Sequence, residues 1–249
     1  MRNVARNALR PHYLPVMGRK LVERLRPSHR DEAIRWAASR AEPIGAFAEA
    51  LDADLWAECG EWATEFRAAA ALKLDRMGVP LRGAGHFRLL HFLVRHLRPE
   101  VVLETGVGVG YTSQAILLGF AHNGSGTLYS SDFPYFRMDA PERYVGCLVD
   151  DELRDRWHLG LHGDRVNLAE FLPRISTLDL VHYDSDKSIG GRAFAMRAVA
   201  PKLAPGATVV MDDIDDNTFF RDWSERAGRG CRVFARGGKY VGLTGIPAE

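Results

Sequence analysis

Residues 101–113, VVLETGVGVGYTS, constrain the fold more than any other stretch of this chain. An apolar β-type run ends in Gly106, Gly108 and Gly110, and a helix-forming segment begins at Tyr111. Glycines at alternate positions let the backbone turn tightly and let a ligand approach it closely. The helix that follows offers unpaired N–H groups at its start. The spacing is not that of a dinucleotide fingerprint: the sixth position is Tyr111 counted from Gly106, and Ser113 counted from Gly108. It is not a P-loop either, because no lysine follows the glycines.

The texture of the chain beyond residue 100 agrees with this opening unit. Short apolar runs recur as TLYSS (127–131), WHLGLH (157–162), LDLVHYD (178–184) and ATVVMDD (207–213). Helix-forming stretches such as YTSQAILLGFAHN and GGRAFAMRAVAPKL separate them. Strand–helix alternation of this kind predicts a parallel sheet covered on both faces. Two last strands, 231–237 and 239–245, meet at Gly237-Gly238 and read as a closing hairpin. Upstream, residues 31–40, 45–58 and 61–77 are rich in helix formers, and Gly78-Val79-Pro80 ends that block. In HFRLLHFLVRHL (86–97), Leu90, Leu93, Val94 and Leu97 share one helix face. His86, His91 and His96 are spread around the same helix, which predicts surface or capping positions. This divides the chain into a basic arm (1–30), a helical N-terminal cap (31–84) and an α/β domain (85–249).

Composition excludes several classes. Hydrophobic residues are 46% and charged residues 26%, an ordinary globular balance that rules out disordered and collagen-like chains. No apolar run is long enough to span a membrane, and the start lacks the pattern of a secretory signal. Cys59, Cys147 and Cys231 form no zinc-type spacing, which suits reduced thiols and a cytoplasmic setting. The net charge of +1 hides an asymmetry: residues 1–30 carry eight Arg/Lys against Glu23 alone. The body is therefore acidic, which argues against a nucleic-acid partner.

The acidic residues fall at strand ends. Glu104 closes the first strand, Asp132 the second and Asp164 the third. Ligands of open α/β sheets bind beyond the carboxyl ends of the strands, where a carboxylate such as Asp132 can accept from ribose hydroxyls. For Asp164, a helix N-cap is the competing reading. Together, the acidic–x–Gly–x–Gly–x–Gly loop and these acids resemble class I S-adenosylmethionine (SAM) methyltransferases over residues 85–245. That resemblance implies a Rossmann-like, seven-stranded, mostly parallel sheet of order 3-2-1-4-5-7-6. It implies that Gly106, Gly108 and Gly110, with Tyr111, Thr112 and Ser113, hold the methionine part of SAM. Glu104 would face the cationic ligand, Asp132 the ribose and Asp164 the adenine, with Asp184 also at the cofactor.

The fourth and fifth strands end in Asp184-Ser185-Asp186-Lys187 and Asp212-Asp213. Carboxylates packed together repel unless protons, cations or a metal offset them. Oxygen ligands favour Mg²⁺, Mn²⁺ or Ca²⁺. The pattern is similar to the metal-dependent small-molecule O-methyltransferases of the catechol and caffeoyl-CoA type, with an Asp-x-x-Lys after the fourth strand. Asp213 departs from that group's usual Asn. The resemblance implies a divalent cation on Asp184, Asp212 and Asp213, Lys187 as general base beside Asp184, and a small hydroxylated acceptor. A metal-independent O- or N-methyltransferase and a non-catalytic SAM-fold interaction protein are the alternatives. The aromatic segment 133–146 is a candidate lid or acceptor wall, and its Arg137 and Arg143 are candidates for recognising an acidic acceptor, with solvated surface arginines as the competing reading. Phe219, Phe220 and Trp223 read as helix packing, and Asp215 and Asp216 as the first turn of a helix running to Ala227. The N-terminal helices are free to cover the site or to form a homodimer interface.

Overall fold

The computed structural model describes Gly18 and residues 29–79, 83–135 and 138–246. Most of the basic arm, and Arg137, lie outside these residues.

One eight-stranded sheet organises the chain: β1 (Ala41–Glu42), β2 (Val101–Thr105), β3 (Thr127–Ser131), β4 (Trp157–Gly160), β5 (Leu178–Tyr183), β6 (Leu203–Met211), β7 (Cys231–Arg236) and β8 (Lys239–Thr244). Its order is β1-β7-β8-β6-β5-β2-β3-β4. Strands β2 to β6 pair in parallel, and β8 is antiparallel to both β6 and β7. The expected order of seven strands is present. The correction is an eighth, β1, which pairs in parallel with β7 through Ala41 and Glu42 alone. Two residues between helices carry no alternation that a sequence pattern could register. The β7–β8 turn has Gly237 and Gly238 at φ 57° and 78°, as a two-residue hairpin turn requires.

Among the described residues, seven α-helices of eight residues or more flank the sheet: α1 (Arg30–Arg40), α2 (Ile44–Arg76), α3 (Phe87–Leu97), α4 (Tyr111–Asn123), α5 (Asp164–Phe171), α6 (Ile189–Val199) and α7 (Phe219–Arg226). Successive strand residues feed opposite layers. Val102, Leu180 and Val210 join a core with Phe47 and Trp56 of α2, α3, and Ile116 and Phe120 of α4. Leu103, Val181 and Val209 join Phe171, Met196 and Phe220 on the other face. Each such side chain contributes about 1.5–3 kcal/mol on full burial. The N-terminal segment thus shares the main core and adds a strand to its sheet. No helix among the described residues is long and apolar enough to cross a membrane.

Two local expectations need correction. Residues 44–76 form one helical run broken at Asp52, whose extended backbone (φ −166°, ψ 96°) and carboxylate, accepting from Leu55 N–H at 3.0 Å, cap the second half. His91 is buried, its Nδ1 2.8 Å from the Ala115 carbonyl oxygen. Helices α3 and α4 approach closely there because Gly119 has no side chain: a Cβ would lie 2.7 Å from Val94 Cγ1. Burial holds His91 neutral, its pKa pulled down to about 4.

Candidate active site

The carboxyl ends of β2 to β6 open on one cleft of about 1320 Å³. That exceeds the roughly 300–1,000 Å³ of a single small-ligand site, leaving room for two molecules. The three glycines of the loop are needed for different reasons. Gly106, at φ 84°, crosses the tip of β5, where a Cβ would stand 2.6 Å from the Asp184 carbonyl carbon and closer still to its oxygen. Gly108, at φ 54°, has nothing within 4 Å of its Cβ position and lines the cleft. Gly110 packs against Gly146, away from the cleft.

Glu104 lies beneath this loop, fully buried, and does not line the cleft. Its carboxylate accepts from Thr112 Oγ1 and Ser113 Oγ, both at 2.5 Å, and from Ser130 Oγ at 2.8 Å. The acid therefore ties the first turn of α4 to β2 and β3. Thr112 reaches the cleft, Ser113 is held by Glu104, and Tyr111 packs edge-on against Phe66.

Asp132 and Asp164 both line the cleft. Asp132 accepts from Gly108 N–H at 2.7 Å and Phe133 N–H at 2.6 Å, which fixes its carboxylate at the loop. Burial pushes its carboxyl up to about 6, against those two N–H groups. Asp164 opens α5 but does not cap it. It accepts from Ser131 Oγ at 2.7 Å and Ser185 Oγ at 2.5 Å, cross-linking the tips of β3 and β5.

Asp184, Asp212 and Asp213 also line the cleft, and Lys187 lies against two of them. The Lys187 ammonium touches the Asp184 carboxylate and lies 3.4 Å from Asp213 Oδ2. Burial alone would lower the Lys187 pKa, but Asp184, Asp212 and Asp213 outweigh it and hold the group above the usual lysine value. The lysine is therefore an ammonium in this arrangement, and a base role requires that its carboxylate partners be drawn away. Burial raises the Asp184 carboxyl despite Lys187.

Asp213 adopts φ 52°, which turns its carboxylate toward Lys187 and, at 3.3 Å, Lys239. Among the described residues, the group whose ligand atoms all lie within 4.8 Å of one another is His182, Asp184 and Asp212. The His182 nitrogens are 3.6 Å from Glu104 Oε1 and 4.0 Å from Asp212 Oδ2, too long for hydrogen bonds but close for charges. Burial would lower its pKa; Asp212 and Glu104 together raise it to about 10. The result is an imidazolium between two carboxylates, with Asp212 depressed to about 2. Asp212 Oδ1 is buried without a hydrogen-bond partner.

Arg192, fully buried, holds this corner by donating to the backbone oxygens of Asp212 and Asp213, at 3.1 and 2.7 Å. Asn217 accepts from Arg192 and donates to the Lys187 carbonyl at 2.7 Å. Asp215 and Asp216 belong to a 3₁₀ turn rather than to a helix that runs to Ala227: Asp215 accepts from Tyr240 N–H and Asp216 pairs with Lys239. Phe219 and Phe220 pack in the core as expected. Arg143 stays on Tyr144, with its guanidinium 4.5 Å from the ring centroid, and does not line the cleft.

Three residues escaped the sequence reading. His182 had a usable signal, a titratable residue inside an apolar strand run. Arg192 had none, since an arginine in a helix normally marks a solvated face. His86, expected at the surface or as a cap, stands at the N-cap position of α3 but is buried, lines the cleft beside Asp212 and leaves Nδ1 without a partner among the described residues.

Residues 103–214 match the family model described as a methyltransferase domain. Among solved structures, a Klebsiella pneumoniae protein assigned as an O-methyltransferase is 16% identical, with a TM-score of 0.56 over 74% of this chain and 90% of that one. A methyltransferase from Geobacter sulfurreducens is 21% identical, with a TM-score of 0.53 over 72% and 87%. An O-methyltransferase from Bacillus cereus, solved in complex with SAH, is 16% identical, with a TM-score of 0.51 over 75% and 90%. At these identities the structures share the fold. No curated protein matches the sequence.

Proposed function

We infer that this chain, a class I SAM-dependent methyltransferase whose methyltransferase domain is recognised over residues 103–214, transfers the methyl group to a hydroxyl oxygen of a small acceptor. The carrying observation is the division of one cleft. Gly108, Asp132 and Asp164 line the part where the cofactor would lie, while Asp184, Asp212 and Asp213 line a charged part, with the Lys187 ammonium against Asp184 and Asp213. SAM carries a sulfonium, so the methyl is already electrophilic, and the enzyme has to align an oxygen with it and take away a proton. The SAH bound to the Bacillus cereus neighbour is what such a transfer leaves behind. Asp132 would hold the ribose. Asp164, fixed by two serine hydroxyls, would stand at the adenine. Arg67, Gly83 and Ala84 would form one wall of the acceptor end, and the three free cysteines suit a cytoplasmic protein.

In the transfer, the acceptor oxygen forms its bond to the methyl carbon as the carbon–sulfur bond breaks, and the hydroxyl proton leaves. The Lys187 ammonium stabilises the oxygen as negative charge develops. Asp184, made more basic by burial, takes the proton. The donor set also fits a divalent cation: Asp212 Oδ1 is buried and unpartnered beside Asp184. Asp184, Asp212 and Asp213 would hold the ion, which would supply Lewis-acid polarisation of the hydroxyl. A metal-free version has its own support, since Lys187 already lies against Asp184 and Asp213.

Chelation separates the two versions. Methyl transfer from SAM to catechol, followed by product mass, is expected to fall at least about 100-fold in EDTA and to return with Mg²⁺ or Mn²⁺. Asp184→Ala is expected to lose the same activity. Full turnover in EDTA overturns the metal. Full turnover in Asp184→Ala overturns the placement of the reaction at this cluster.

A further inference from the structure

The acid cluster is largely neutralised from within. Lys187 serves Asp184 and Asp213, and Lys239 serves Asp213 and Asp216. Three arginines that line the same cleft are in no ion pair among the described residues. Arg165 of α5 lies 4.2 Å over the Phe194 ring, beside Asp164. The other two are Arg67 of α2 and Arg236 at the end of β7. They come from segments far apart in sequence yet feel each other's charge: Arg236 is held below the usual arginine value first by burial and then by Arg67, with Asp212 opposing. Arg236 also stands directly across the hairpin from Lys239. Like charges opposed on neighbouring strands destabilise a hairpin, so this grouping works against the fold.

Each guanidinium has a neutral partner instead. Arg236 Nη1 donates to the Gly85 carbonyl at 2.8 Å, in the turn that leads to His86. Arg67 lies 5.0 Å over the Phe87 ring. Each retains N–H donors for a ligand, because a guanidinium carries five. A planar fork of donors matches the oxygens of a carboxylate or phosphate.

We propose that the acceptor carries an oxyanion, a carboxylate or phosphate-type group, and that Arg67 and Arg236 bind it at the mouth of the cleft while its hydroxyl reaches Asp184 and Lys187. This rests on the methyltransferase reading for the identity of the reaction, not for the anion site itself. It also gives the N-terminal helical segment a task, since α2 supplies one of the two arginines.

The test uses matched acceptors that differ only in the anion: catechol, 3,4-dihydroxybenzoate and 3,4-dihydroxyphenylphosphonate. With the full-length enzyme and SAM, kcat/KM for at least one anionic acceptor is expected to exceed that for catechol by about 10- to 100-fold, carried mainly by KM. Whether the carboxylate or the phosphonate is preferred identifies the natural anion. The preference is expected to fall to near unity in Arg67→Met/Arg236→Met and to return in part in Arg67→Lys/Arg236→Lys. The same ratio is expected for dissociation constants of the three probes from the enzyme–SAH complex, measured by calorimetry. That second readout stands even if none of the three is methylated, so failure of the reaction and failure of the anion site are distinguishable. Equal affinity for charged and neutral probes, no binding of either charged probe, or a preference that persists in the double methionine variant overturns the proposal.

Discussion

Replacing His182 by leucine is expected to lower the unfolding free energy by about 3–5 kcal/mol at pH 7, the cost of breaking a buried ionic group by removing one member. His182 is the cation between Glu104 and Asp212, and neither nitrogen has another partner. Leucine fills much of the space but leaves two carboxylates buried on one sheet face. Glu104 keeps its three hydroxyl donors, while Asp212 Oδ1 gains none. Adding Glu104→Gln to His182→Leu is expected to recover part of the loss, because it removes one of the stranded charges. The pH dependence has a definite sign. The folded-state pKa of His182, about 10, lies above the ordinary value of 6.5, so its contribution is complete below about 6.5 and is lost as pH rises toward 10. Urea unfolding of the wild type is expected to show this decline, and the leucine variant is expected to lack it. A variant as stable as the wild type, or an unchanged slope, contradicts an imidazolium at this position.

A contrast between Gly106, which is crowded by Asp184, and Gly108, which has open space at its Cβ position, gives the second large effect. Gly106→Ala would drive a Cβ into the Asp184 carbonyl while keeping a φ of 84°. Overpacking costs about 1–3 kcal/mol, and left-handed backbone adds about 1–2 kcal/mol. The β2 and β5 tips would have to separate, and cofactor binding and methyl transfer are expected to disappear with them. Gly108→Ala meets no neighbour, so it carries only the backbone cost of about 1–2 kcal/mol. Its methyl group would project into the cleft at the cofactor end, so SAM affinity is expected to fall while the fold survives. Thermal unfolding and SAM titration of both variants check this. Equal stability losses at the two positions would contradict the different reasons assigned to these glycines.

The sheet was legible because each of its main strands is an apolar run with a glycine or an acid at its carboxyl end. Parallel strands buried on both faces leave that signature. The edge strand β1 left none, since Ala41 and Glu42 span too few residues for periodicity. The break in α2 rests on one carboxylate, Asp52, that a helical pattern tolerates at either an interior or a capping position. Strand-end acids could be placed at the cleft from sequence, but their individual partners could not. Glu104 faces hydroxyls below the loop instead of the ligand, and Asp164 bridges two serines instead of capping α5. The grouping of Asp184 with Asp212 followed from strand order. That His182 rather than Asp213 lies nearest to them depends on the left-handed backbone of Asp213, which composition does not encode. Buried Arg192 was invisible because its partners are backbone carbonyls of a loop distant in sequence.

The cleft over Gly106, Gly108 and Asp132 is expected to bind SAM. Isothermal titration of the purified chain with SAM tests it most directly, with Asp132→Ala alongside. The wild type is expected to bind one SAM per chain. The variant, checked to be folded by circular dichroism, is expected to bind about 10- to 100-fold more weakly, the loss for hydrogen bonds to a charged group. No binding by the wild type, or equal binding by Asp132→Ala, would contradict it.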